Sequence, residues 1–151
     1  MPRRVTITGP RNLGEVSNAD LGGLFDAYLR PFAGGAAHFY LGGAAGIDTA
    51  ALAWLAEHTN VGLTVVVPCA LVDQPAIAVE TVNRWRKRVD EVVELQALEL
   101  GTVAYHARNR WMVDRSELVI GFPRGTDPAS GTWYTLNYAA EQGKARLVIP
   151  L

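Results

Sequence analysis

Only one cysteine, Cys69, stands in this chain of 151 residues. A single thiol excludes an intrachain disulfide and a cysteine-based metal cluster. Placed directly after Val65-Val66-Val67-Pro68, it reads as a buried structural thiol rather than a nucleophile. No run reaches the roughly 18 apolar residues that a membrane span requires. The start, Met1-Pro2-Arg3-Arg4-Val5-Thr6-Ile7, has basic residues but no apolar targeting segment, so it reads as the beginning of a strand. Excess charge is also missing: 14 basic residues face 15 acidic ones, for a net charge of -1. Any surface for nucleic acid would have to be a local patch. His38, His58 and His106 are isolated, with no partners at metal-ligand or triad spacing. No internal repeat, low-complexity stretch or interdomain linker interrupts the chain. These absences lead us to expect one cytoplasmic domain spanning residues 1–151, with no membrane partner, no metal and no cofactor.

What is present is a rhythm. Short β-branched runs alternate with helical patterns, and 49% apolar against 19% charged residues is a globular balance. Strands are expected at Val5–Thr8, His38–Leu41, Leu63–Val67, Glu91–Leu95, Leu118–Phe122 and Arg146–Ile149. Asp20 to Phe32 carries Leu21, Leu24, Phe25, Tyr28, Leu29 and Phe32 at i, i+3, i+4, i+7 spacing, which predicts a helix packed on one face. Further helices are expected over Ile47–His58, around Ala78, Val82, Trp85 and Val89, over Ala104–Arg115, and over Ser130–Gln142. Ser130 suits an N-cap and Gly143 a C-terminal stop. Such alternation predicts an α/β fold, a mostly parallel sheet with helices on both faces.

In such sheets ligands bind beyond the carboxyl ends of the strands. Glycines and small polar residues gather there. Gly9-Pro10-Arg11-Asn12 follows the first strand, Gly42-Gly43-Ala44-Ala45-Gly46-Ile47-Asp48 the second, and Pro123 to Thr132 the fifth. Gly42, Gly43 and Gly46 let a backbone approach a phosphate, and free N–H groups at a helix start suit an anion. Asp48 is then either a helix cap or a partner for a ribose hydroxyl. The loop matches neither GxGxxG nor a Walker A pattern. Ser130-Gly131-Thr132 opens another helix and offers a second phosphate cradle, or simply a capped start. Arg108 is suited to hold a phosphate or carboxylate bidentately, and Asn109 stands beside it. The run Arg84-Trp85-Arg86-Lys87-Arg88 reads as a core tryptophan among solvated charges, not a base-stacking patch.

Four segments together resemble the SLOG superfamily, which joins DNA-processing protein A (DprA/Smf) with the Lonely Guy (LOG) phosphoribohydrolases. Gly9-Pro10-Arg11 is similar to the first-strand GxR turn. "GGAAGIDTAA" is similar to the SGGARGID loop of the DprA group, "RNRWMVDRSELVIGF" to its RNR helix and following strand, and "SGTWYTLNYAAEQGKARLVIP" to its SGSLxTAxxALEQGR helix and last strand. The resemblance implies a Rossmann-like fold in a small stand-alone member, nearest the DprA pattern. Its ligand set would be Gly9, Arg11, Gly42, Gly43, Gly46, Asp48, Arg108, Asn109, Ser130, Gly131, Thr132 and Thr135. In LOG enzymes an arginine in RxxxM and a glutamate in PGGxGTxxE cleave an N-glycosidic bond. Arg108 with Met112 fits the first, and would be the catalytic residue of an enzyme. The glutamate position falls on Thr135, which cannot supply a carboxylate. The expectation is therefore a nucleotide-binding protein rather than an enzyme. A nucleoside monophosphate hydrolase and a single-stranded DNA binder are the alternatives, and pairing into a homo-oligomer is left open.

Overall fold

The computed structural model describes all residues, 1–151. Six strands form one sheet in the order β4-β3-β2-β1-β5-β6, and all five pairings are parallel. The strands are β1 (Arg4–Thr8), β2 (His38–Gly42), β3 (Gly62–Val67), β4 (Glu91–Glu94), β5 (Leu118–Gly121) and β6 (Ala145–Val148). Between them lie α1 (Asn18–Tyr28), α2 (Ile47–His58), α3 (Ala76–Arg84), α4 (Thr102–Asp114) and α5 (Gly131–Glu141). The chain marches outward from β1 to β4, then returns across the sheet to β5 and β6. Right-handed crossovers in opposite directions place α1–α3 on one face and α4–α5 on the other. This is a Rossmann-like α/β fold, and no helix is long and apolar enough to cross a membrane.

Strand alternation gives the two faces different chemistry. Val5 and Ile7 of β1, Phe39 and Leu41 of β2, Leu63, Val65 and Val67 of β3, and Leu118 and Ile120 of β5 enter the main core. They pack with Leu21, Phe25, Ile47, Leu52, Trp54 and Leu55 from α1 and α2. Phe25 sits edge-on to Phe122, centroids 5.5 Å apart. The intervening positions meet α4 and α5. Thr6 Oγ1 bonds Ser116 Oγ at 2.6 Å, His38 Nε2 bonds Thr64 Oγ1 at 2.6 Å, and Tyr40 meets Trp111 edge-on. Apolar packing on that side contracts to Val113, Val119, Leu136 and Ala139.

Most strand limits shift by one residue from the sequence reading, and three helix boundaries differ in ways that matter for the packing. The first helix ends at Tyr28, and a separate 3-10 turn covers Arg30–Phe32. Pro31 has no N–H to donate into the helical ladder, so the α-helical bonding does not continue through it. The third helix ends at Arg84, so Trp85 and Val89 reach the core from the turn beyond it. Arg84, Arg86 and Lys87 are exposed. The fourth helix begins at Thr102, two residues early, which brings its first turn to the sheet edge.

Candidate functional site

β1 is central, with crossovers leaving in opposite directions on its two sides, so a crevice opens beyond its carboxyl end. A cavity of about 370 Å³ occupies it. The β1–α1 loop contributes Gly9, Pro10 and Arg11. From α2 comes Asp48, from the β5–α5 loop Arg124 and Ser130, and from the first turn of α5 Gly131 and Thr132. One face of α4 supplies Thr102, Tyr105, His106, Arg108, Asn109 and Met112. These recur at helical spacing, i, i+3, i+4 and i+7.

Arg108 is only 4% exposed. Its Nε donates to Asn109 Oδ1 at 2.7 Å, and Nη1 donates to the Val66 carbonyl at 3.4 Å. Nη2 has no hydrogen bond within the protein, yet no buried side-chain nitrogen lacks a partner. Nη2 therefore opens onto the cavity. Asn109 is also buried, and its carbonyl is held by the charged Nε. That orientation leaves its amide N–H groups free for the cavity. At the α5 start, Ser130 Oγ accepts from the Trp133 N–H at 3.3 Å. The N–H groups of Gly131 and Thr132 have no partner in the protein. Unpaired N–H groups at a helix start favour an anion.

Cations dominate the wall. Arg11, Arg108 and Arg124 line the cavity against one carboxylate, Asp48. The Arg11 guanidinium lies over the Tyr105 ring, 4.1 Å from its centroid, and Arg124 Nη1 donates to the Asn12 carbonyl at 3.0 Å. Burial pushes the Asp48 carboxyl up to about 7, with Arg108, the Ala44 N–H and Arg11 opposing. Burial lowers the Arg108 pKa, Asp48 opposes that shift, and Arg11 adds to it. The His106 pKa is lowered by burial and by Arg110. Asp48 is thus a partial counter-charge, neutralised more readily than an ordinary carboxylate.

Eight of the twelve residues singled out from the sequence meet in this cavity: Gly9, Arg11, Asp48, Arg108, Asn109, Ser130, Gly131 and Thr132. The other four sit behind it. A Cβ on Gly42 would collide with the Arg108 guanidinium, so this glycine makes room for the arginine. Gly46 has φ +78° and lies against the Pro10 carbonyl, which accepts the Ile47 N–H at 3.1 Å. The first N–H of α2 is thereby already engaged. Gly43 packs on Val67, and its carbonyl accepts from Gln74 Nε2 at 2.5 Å. Thr135 is fully buried, and its hydroxyl donates to the Gly131 carbonyl at 2.9 Å. Glu141 is exposed at the far end of α5. Arg110 turns to the Tyr134 hydroxyl at 2.7 Å. No three His, Cys, Asp or Glu side chains come together as metal ligands. Thr102, Tyr105 and Met112 were not foreseen as wall residues. Their common helical face with Arg108 was the available signal.

Similarity searches agree with this architecture. A structure of DNA processing protein A from Helicobacter pylori, described for its single-stranded DNA binding mode, superposes with a TM-score of 0.71 over 99% of this chain, at 22% identity. The same protein from Streptococcus pneumoniae gives 0.70 over 98%, at 19% identity. This chain has the fold of DNA processing protein A. It spans 66% of the H. pylori chain and 50% of the S. pneumoniae chain. No family model and no curated protein matches the sequence. The resemblance read from the four motifs is met at the level of the fold.

Proposed function

We propose that residues 1–151 act as one binding domain for single-stranded DNA, taking a nucleotide of the strand into the β1 crevice. The observation that carries this reading is the buried Arg108 with Nη2 open to a cavity otherwise rich in donors. Burying a cation costs several kcal/mol unless it is compensated. A phosphate oxygen would complete its hydrogen bonding, together with the free N–H groups of Gly131 and Thr132. The likeness to DNA processing protein A, one structure of which is described as a single-stranded DNA binder, favours a strand as the source of that phosphate. Affinity must come from the local set Arg11, Arg108 and Arg124, because the net charge is -1.

Fluorescence anisotropy with a labelled oligothymidylate tests this. Three phosphate contacts predict a log–log salt slope of about -2. Arg108→Ala is expected to weaken binding at least tenfold. Absence of binding at low salt overturns the proposal. A second reading, a free nucleotide or nucleotide derivative, is favoured by the limited size of the cavity. It gains if a nucleoside monophosphate raises the melting temperature while the oligonucleotide does not. Release of free base in either assay would establish cleavage, with Arg108 as the first residue to test.

A further inference from the structure

Two aromatic rings line the cavity, and they are not equivalent. The face of Tyr105 is covered by the Arg11 guanidinium, 4.1 Å from the ring centroid. His106 lies parallel to Tyr134, with centroids 3.5 Å apart and planes 3° from coplanar. Tyr134 therefore covers one face of the imidazole, and it is His106, not Tyr134, that contributes to the cavity wall. Arg110 Nη1 anchors this backing ring through the Tyr134 hydroxyl at 2.7 Å. The pair is thus a supported flat surface at the wall, on the helix that also carries Arg108.

We infer that His106 is the base-stacking surface of this site, with Tyr134 as its rigid backing and Arg108 as the phosphate anchor. The inference rests on the phosphate reading above and adds the part of the nucleotide that a phosphate cradle does not select. A neutral imidazole suits the role, and burial with the nearby Arg110 cation favours that form. Stacking accepts any base, because every base has a π-face. The surface would distinguish ligands with a base from sugar phosphates, and would not by itself read sequence.

Calorimetry with adenosine 5′-monophosphate and ribose 5-phosphate separates the two contributions. Wild type is expected to bind the nucleotide roughly 5- to 150-fold more tightly, the range for one base stacked on an aromatic side chain. His106→Ala is expected to remove that advantage and leave ribose 5-phosphate binding unchanged. His106→Phe keeps a flat ring and is expected to retain most of the advantage. Tyr134→Leu, which leaves the imidazole unsupported, is expected to lose part of it. Equal wild-type affinity for the two ligands overturns the inference and leaves the phosphate reading intact. An equal loss for both ligands in His106→Ala, with unchanged melting temperature, also overturns it. No binding of either ligand or of an oligonucleotide by wild type removes the phosphate reading and this inference together.

Discussion

The two faces of the sheet are built on opposite terms. Toward α1 and α2, alternate strand positions are Val, Ile, Leu and Phe, and they close around Phe25, Leu55 and Ile47 with no exposure above a few per cent. Toward α4 and α5, the neighbouring positions are Thr6 and Thr8 of β1, His38, Tyr40 and Gly42 of β2, and Thr64 of β3, with Val66 of β3 and Val119 of β5 as apolar exceptions, and α4 meets the sheet edge with Arg108 and Asn109. Hydrophobic burial accounts for stability on the first side. On the second, buried polar groups are satisfied one by one, and the unsatisfied remainder faces the cavity. Under the proposed function, one sheet separates the task of folding from the task of holding a ligand.

The largest test of this division is Phe25→Ala. It removes a ring packed against Phe122 and Trp54 and is expected to cost about 3–5 kcal/mol in urea unfolding. Oligonucleotide affinity, measured where the variant is still folded, should change little. A large drop in affinity without unfolding would break the division. Arg108→Met reverses the pattern. Binding is expected to fall at least tenfold, while stability at pH 6 stays within about 1 kcal/mol, since apolar replacement of buried charge is often neutral.

Asp48 sharpens the contrast through pH. Its folded pKa of about 7 lies above the ordinary carboxylate value. Between those values the folded state holds the proton more tightly than the unfolded chain. This group's contribution is therefore complete at low pH and is lost as pH rises through 7. Asp48→Asn is expected to flatten the wild-type decline in unfolding free energy between about pH 4 and pH 7. A parallel decline in the variant would assign it to other groups. The smallest effect is expected for Thr135→Val. The Thr135 hydroxyl is spent on the Gly131 carbonyl, so stability should fall by about 1 kcal/mol or less, with unchanged ligand affinity. Weakened binding would show that Thr135 reaches the ligand after all.

Much of the first face was legible from sequence. The span Ile47–His58 coincides with α2, because its helical period is bounded by Gly46 and Thr59. The second face was harder to read. Helix α4 shows little apolar periodicity, since the side it turns to the cavity carries Thr102, Tyr105, Arg108 and Asn109. The polar alternation in Val5-Thr6-Ile7-Thr8 and His38-Phe39-Tyr40-Leu41 was visible and marked the same face from the strands. From sequence, the glycines of the Gly42–Gly46 loop suggest freedom to approach a ligand. In the fold, Gly42 uses that freedom to admit Arg108, a role that depends on a residue 66 positions away and leaves no local trace. Thr135 aligned with a ligand position in the resemblance, but helix geometry turns its hydroxyl back to the preceding turn.

The central place of β1 also bears on how the protein is made. Val5 pairs with Phe39 on one side and with Leu118 on the other. During synthesis one edge of β1 stays without its partner until more than a hundred further residues have been added. Parallel pairings of such separation form slowly, and an open strand edge is a template for association with other chains. The nascent protein is then exposed to association along the whole β1 edge that later pairs with β5. Ribosome-associated chains stopped before β5 should depend on chaperones, and those extended past α5 should not.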